Sequence, residues 1–295
     1  MPIWRLSGGK NVYFELDISN SLLGSGATGK VYRAFRVNLE TRERIPVAIK
    51  FLYENLPTEA IERARREAQI HIVDDHLIEM LGFFELVKKK NGRDVHRYHV
   101  VSEYLQGIRL DKKLNEFIGD LESFSIDVVT GVLKGLSALH KHGYIHRDID
   151  MSNVMLLDDG RVKLIDFGIA KLINQLESSD KHLTNTGQFL GRPEYAAPEL
   201  VLGDINNQNA TTDIYAVGIL LYRLLVGEFP FQGSDAQILA AQWQQDVPVK
   251  NIKNRKLRKI VKKATEKKQS DRYQSADEFL AALQQKSRWS LWFGK

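Results

Sequence analysis

With 295 residues, 43% of them hydrophobic and 27% charged, the chain can form one large domain or two unequal lobes around a real core. It has no cysteine, which excludes a disulfide framework and any thiolate metal site and fits a reducing cytosol. The net charge of +5 is mild, no stretch approaches the ~18 apolar residues of a membrane span, and the first residues lack the apolar run of a secretory signal, so a cytoplasmic protein without a transmembrane segment is expected.

The first predicted element is a strand, VYFEL. After it comes LLGSGATGKVYRA, residues 22–34, with Gly24, Gly26 and Gly29 spaced G-x-G-x-x-G. Three phosphate-binding loops share such glycines, because a backbone without side chains lets a ligand approach its N–H groups. A P-loop or a Rossmann turn needs a helix directly after the glycines. Here KVYRAFRV is rich in β-branched and aromatic residues and reads as a strand. Val31 also stands where a P-loop has a hydroxyl. The glycines therefore join two antiparallel strands, and the following PVAIKFLY is a third strand, ending its apolar run near Lys50.

Further along come a helical segment at 59–73 (EAIERARREAQIHIV), the run HVVSEYLQG, and a helix in SIDVVTGVLKGLSALHKHG that Gly143 can cap. YIHRDIDMSNVMLL and KLIDFGIAK follow, the latter reached through two short strands around the turn DDG. Then come AAPE, the apolar helix TDIYAVGILLYRLLVGEFPF and SDRYQSADEFLAAL. His140, His142 and His146 invite a zinc reading, but the first two suit a helix C-terminus, where cations meet the favourable end of the dipole.

This ordered series, spanning about residues 12–284, resembles a eukaryotic-type (Hanks-type) protein kinase, of the kind found in bacterial Ser/Thr kinases. The resemblance implies an α+β, bilobal fold. Residues 1–104 would form a small antiparallel β-sheet lobe with one helix. Residues 105–285 would form a larger, mainly helical lobe, followed by an aromatic and basic tail, 286–295, carrying Trp289, Trp292 and Phe293. It implies ATP and Mg²⁺ as cofactors, with Mn²⁺ as an alternative metal. Gly24, Gly26, Gly29, Val31 and Ala48 would enclose the nucleotide. Glu103 and Leu105 would offer backbone groups to adenine, beside a small gatekeeper, Ser102. Lys50 would hold the α- and β-phosphates, aimed by Glu67. Asp148 would be the catalytic carboxylate, and Asn153 and Asp166, next to Phe167 and Gly168, the metal ligands. Glu199 would pair with Arg272, and Asp213 would open the central helix. Arg147 before Asp148 implies control by phosphorylation in the activation segment, at Ser178, Ser179, Thr184 or Thr186.

Two positions depart from the family pattern. Asp150 stands where Ser/Thr kinases usually have lysine, and Arg192 where they usually have threonine or serine. In the family these positions face each other across the catalytic carboxylate. The expectation is that Arg192 pairs with Asp150 and supplies the missing positive charge, Arg being suited to carboxylates and phosphates alike. The alternative is a degraded site and a pseudokinase serving as a nucleotide-binding scaffold. The tyrosine-kinase patterns after the catalytic Asp are absent, so Ser/Thr hydroxyls of proteins are the expected substrates, including a second copy of the chain in trans. The APE segment, a platform for peptides, weighs against a small-molecule substrate. No sequence-specific nucleic acid is expected. Residues 249–268 hold ten Lys or Arg and one Glu. They read as a solvated helix with a stripe of Ile252, Leu257, Ile260, Val261 and Ala264, or as a dock for an acidic partner.

Overall fold

Alternating apolar and polar residues in the first third of the chain build one antiparallel sheet. The computed structural model describes residues 4–9, 11–90, 93–114, 117–166, 171–172, 191–204 and 206–285. The chain divides into two units, residues 1–74 with 78–106, and residues 75–77 with 107–295.

In the first unit the strands are β1 (Trp4–Ser7), β2 (Val12–Leu16), β3 (Leu22–Ser25), β4 (Gly29–Asn38), β5 (Arg44–Leu52), β6 (Met80–Lys90) and β7 (Arg93–Glu103). They lie in the order β1-β2-β4-β5-β7-β6, with β3 paired to β4. The VAIK strand is thus fifth in the chain. Sequence reading missed β1, a four-residue edge strand, and the short arm β3. On β5, Val47 and Ile49 are fully buried beside Phe14, Leu16, Ala34 and Val101. The strand period of two then turns Ala48 and Lys50 to the other face. The single helix among the described residues of this unit, α1 (Thr58–Glu67), is shorter than the 59–73 expected. After Glu67 the pattern changes period. Ile70 and Ile72 are buried while Gln69, His71 and Val73 are exposed. Strand-like alternation cannot sit on one helix face, so the helix ends.

The second unit is mainly helical. It contains β8 (Gly107–Arg109), α2 (Leu110–Lys113), α3 (Leu121–Lys141), β9 (Tyr144–Ile145), β10 (Val154–Leu157) and β11 (Val162–Leu164). These are followed by α4 (Pro198–Val201), α5 (Ala210–Val226), α6 (Asp235–Gln244), α7 (Arg255–Ala264) and α8 (Ala276–Gln284). Helix α3 starts at Asp120, whose carboxylate accepts from Glu122 N–H, and Gly143 follows its end with φ +81°. The central helix α5 begins three residues before Asp213, because Asn209 and Thr212 cap it reciprocally. Nearly all of α5 is buried against α3 and α7. The helix expected over 249–268 spans only Arg255–Ala264; the expected stripe is buried, with Ile252 ahead of α7 and the other four residues on it, and four cations of the basic segment are tied down within the unit. Lys256 reaches the Leu283 and Gln285 carbonyls, Arg258 the Ile252 carbonyl, Lys263 Glu278, and Lys267 Tyr215 and the Gln242 carbonyl.

Residues 75–77 are built into this unit by backbone pairing. Leu164 N–H donates to the His76 carbonyl at 2.8 Å, and Lys163 Nζ to the Leu77 carbonyl at 3.0 Å. His76 Nδ1 lies 2.8 Å from the Val162 carbonyl. Elsewhere Arg272, fully buried, forms a two-pronged pair with Glu199, both N···O distances being 2.9 Å. Burial alone would raise the Glu199 pKa. The Arg272 hydrogen bonds and charge outweigh it and hold the carboxyl below the usual range.

A depressed carboxyl pKa stabilises the fold above its unfolded value, and that contribution is lost as pH falls through the folded value. Arg272→Met should cost about 3–5 kcal/mol at neutral pH by leaving Glu199 buried and unpaired. The gap to wild type should shrink on acidification, as Glu199 takes up a proton. Urea denaturation across pH checks this; a gap that widens in acid would contradict the pairing.

Candidate active site

In the first unit the glycine loop is a hairpin. Ser25 pairs with Lys30 and Gly24 with Val31, and Gly26 N–H donates to the Gly29 carbonyl at 2.9 Å. The glycines serve different ends. A Cβ on Gly29 would lie 2.1 Å from the Phe51 carbonyl oxygen, so β4 and β5 meet there only without a side chain. A Cβ on Gly24 or Gly26 would meet nothing within 4 Å, so no internal packing demands glycine at either position. Val31 lies opposite Lys50 and Ala48 opposite Ser102, which brings Val31, Ala48 and Lys50 to one face of the sheet. Glu67 is buried at the end of α1. Glu103 N–H donates to the Glu79 carbonyl, and its carboxylate accepts from Glu79 N–H, both at 2.9 Å. Ser102 Oγ donates to the Glu103 backbone carbonyl at 3.3 Å. Leu105 follows in irregular chain beyond β7.

In the second unit the segment from His146 to Asn153 hangs on Asp213. One carboxylate oxygen accepts from His146 N–H at 2.8 Å and lies 2.8 Å from His140 Nε2; the other accepts from Arg147 N–H at 2.7 Å. Burial opposes the charge of Asp213, but the His140 bond and the nearby imidazoles hold its pKa below the usual range. Arg147 takes a left-handed backbone, φ 66°, which an Arg adopts only when its surroundings impose it. Its side chain reaches Gln208 Oε1 at 3.3 Å. His146 is fully buried, and burial lowers its pKa, so it stays neutral and Nδ1 accepts from Asp148 N–H at 3.3 Å. The histidines considered for zinc are thus each engaged: His140 with Asp213, His142 with the Ala138 carbonyl and His146 with Asp148.

Asp148 comes next. Burial pushes its carboxyl up to about 7, with help from the charges of Asp150 and Asp166 and opposition from Asn153 and Arg192. Asn153 Nδ2 donates to the Asp148 carbonyl at 2.9 Å and to its carboxylate at 3.2 Å. These bonds turn the amide oxygen of Asn153 away from Asp148. Ile165 N–H donates to the Asn153 carbonyl at 2.9 Å, so Asp166, also left-handed at φ 66°, is held beside the same turn. The hairpin of β10 and β11, closed by Asp158–Arg161, makes this approach.

Asp150 is buried and fully committed. One oxygen caps the short turn Met151–Asn153 by accepting from Ser152 N–H, and the other is 3.0 Å from Arg192 Nε. Gly191, with φ +107°, supplies the left-handed step that delivers Arg192 to it. The structure therefore brings together Asp148, Asp150, Asn153, Asp166 and Arg192. Sequence reading missed the capping role of Asp150, although an Asp two residues before a Ser-Asn turn is a visible signal. It also missed Gln208 as a neighbour of Arg147, which nothing local announces. Phe167, Gly168, Ser178, Ser179, Thr184, Thr186, Trp289, Trp292 and Phe293 lie outside the described residues.

The family model "Protein kinase domain" matches residues 18–286. The chain belongs to the protein kinase family, and its fold is the α+β kinase fold, with an antiparallel sheet and, among the described residues, one helix in the small unit, and a mainly helical larger unit. It is similar to a probable serine/threonine-protein kinase PknB of Lactococcus lactis, 32% identical over 88% of this chain and 40% of that protein. It is also similar to serine/threonine-protein kinase PrkC of Bacillus subtilis, 29% identical over 89% of this chain and 39% of that protein. A third relative is PknL of Mycobacterium tuberculosis, 31% identical over 77% of this chain and 53% of that protein. The chain thus spans two fifths to about half the length of these curated relatives. Among the described residues no helix is long and apolar enough to cross a membrane.

Two outcomes test the construction. Gly29→Ala should lower stability by about 1–3 kcal/mol through overpacking against Phe51, whereas Gly24→Ala should leave the melting temperature unchanged; thermal denaturation of both separates the two kinds of glycine. Asp213→Asn should cost about 1–3 kcal/mol by leaving a buried backbone N–H without its acceptor, and amide exchange at His146 and Arg147 should accelerate. Unchanged protection there would mean that the loop is held by something else.

Proposed function

We propose that this chain is an ATP-dependent protein kinase that transfers the γ-phosphoryl group to Ser or Thr hydroxyls of proteins, other copies of itself included. The observation that supports this most is the grouping of Asp148, Asn153 and Asp166 on two short segments pinned to each other by the bond from Ile165 N–H to the Asn153 carbonyl. Family membership and the names of the relatives point the same way.

Phosphoryl transfer needs positioning and charge stabilisation more than covalent work by the protein. Asp148 receives the proton of the attacking hydroxyl. The hydroxyl oxygen bonds to the γ-phosphorus, the bond from phosphorus to the bridging oxygen breaks, and its electron pair leaves with ADP. Lys50, aimed by Glu67, is assigned to the α- and β-phosphates, and Gly24, Gly26 and Gly29 to the backbone that covers them. Val31 and Ala48 are assigned to the adenine, with backbone groups of Glu103 and Leu105. The donor set fits magnesium, or manganese in its place: Asn153 and Asp166 present hard oxygens, and the Asn153 amide oxygen is turned outward by the bonds its nitrogen makes. Such an ion, when bound, neutralises phosphate charge. Arg147 is assigned as the partner of a phosphate in the activation segment, with Ser178, Ser179, Thr184 and Thr186 as acceptors.

Incubation of the purified protein with Mg²⁺ and γ-labelled ATP, beside Asp166→Ala, tests the reading. Label on Ser or Thr located by mass spectrometry, and absent from the variant, is the expected result. Intact ATP binding with no transfer to itself or to generic substrates, even after prior phosphorylation, would overturn it in favour of a nucleotide-binding scaffold.

A further inference from the structure

Around Asp148 the charges do not balance within the loop itself. The charges of Asp150 and Asp166 both act on Asp148, and the loop from Asp148 to Asn153 contains no cation. The neighbouring cations are engaged in other ways. Arg109 forms a two-pronged pair with Asp111, Lys163 is buried on the Leu77 carbonyl, and Arg147 reaches Gln208. Arg192 differs. Its Nε is 3.0 Å from Asp150, its side chain remains 53% exposed, and among the described residues its terminal nitrogens have no hydrogen-bond partner. It lines the same hollow as Asp148, with Tyr195 and Thr212. Asp150 by contrast is 4% exposed, and each of its oxygens already has a partner.

We infer that Arg192 is a catalytic residue that contacts the phosphoryl group during its transfer, and that Asp150 is the positioning residue that aims it by holding Nε. This deepens the kinase reading and rests on it. The geometry gives the guanidinium a fixed root and, among the described residues, a fork without a hydrogen-bond partner. A carboxylate on Nε leaves the two Nη groups parallel and outward, the arrangement that matches two oxygens of a phosphoryl group. The charge that the family usually supplies from within the catalytic loop comes here from the segment after Gly191. Asp150 then has two duties that one lysine could not combine: it caps the turn presenting Asn153, and it orients the arginine. In the transfer itself Arg192 neither gains nor loses a proton. It offsets the charge spread over the phosphoryl oxygens as the bond to the bridging oxygen breaks and the bond to the hydroxyl oxygen forms.

The test uses wild type, Arg192→Lys, Arg192→Met, Asp150→Asn and Asp166→Ala. Each is assayed for kcat and for KM of ATP and a Ser/Thr peptide, with melting temperature and ATP-analogue affinity measured in parallel. Removing a preorganised charged donor costs about 10²–10³ in rate, so Arg192→Met should lose that much in kcat with little change in KM for ATP. Arg192→Lys should retain an intermediate rate. Asn can still cap the turn, so Asp150→Asn should lower kcat without lowering the melting temperature. Wild-type kcat in a folded Arg192→Met, or equal losses in the Lys and Met variants, would overturn the inference while leaving the kinase reading intact. Wild type no more active than Asp166→Ala would remove both.

Discussion

The carboxylate of Asp213 is the point from which the catalytic segment is hung. It is buried in α5, and it accepts two consecutive backbone N–H groups, from His146 and Arg147, while His140 approaches from the end of α3. Two adjacent N–H groups can point at one acceptor group only if the chain bends sharply. The left-handed φ of Arg147 is that bend. Everything downstream inherits its direction: Asp148 faces Asn153, Asp150 starts the next turn, and Ile165 closes onto Asn153. A helix core of apolar side chains could not do this alone, because apolar packing has no direction and a hydrogen-bonded carboxylate has one.

The carboxylates so assembled repel one another, and the structure manages them by commitment. Asp213 is neutralised by donors on several sides. Asp150 is spent on a backbone N–H and a guanidinium. Asp148 has its pKa raised by burial and by the charges of Asp150 and Asp166, and the hydrogen bond from the neutral Asn153 amide opposes this only in part. This sorting explains how three or more acids can share a small volume without unfolding it. Unpaired buried charge is costly, and paired charge becomes a means of fixing position.

Much of this was legible in the sequence because it is written in local signals. The β-rich run PVAIKFLY placed Lys50 on a strand. The residues after the glycines distinguished a hairpin from a helix-opening loop. The departures at Asp150 and Arg192 raised the question of a pair that the structure brings to 3.0 Å. What the sequence did not show depends on contacts distant along the chain. The end of α1 at Glu67 goes with the burial of Ile70 and Ile72 at alternate positions, and the bond from Arg147 to Gln208 spans 61 positions. Asp150 illustrates an intermediate case. Its capping role was visible locally, but the comparison with lysine drew attention to the charge it lacks and away from the hydrogen bond it makes.

The three residues 75–77 carry a consequence for how this chain can be divided. Leu77 is fully buried and bridges Leu164, in the company of the larger unit, although the strands on either side of it in sequence belong to the smaller one. The polypeptide therefore passes between the units three times before residue 110. Neither unit is a continuous length of chain. A fragment ending near residue 106 would carry Leu77 bare of its burial and would deprive Leu164 N–H and Lys163 of the carbonyls they use. The small sheet is thus not a separable module that could be shuffled or excised at one joint. Gene truncations that respect the apparent boundary would still cut through the larger unit's fabric.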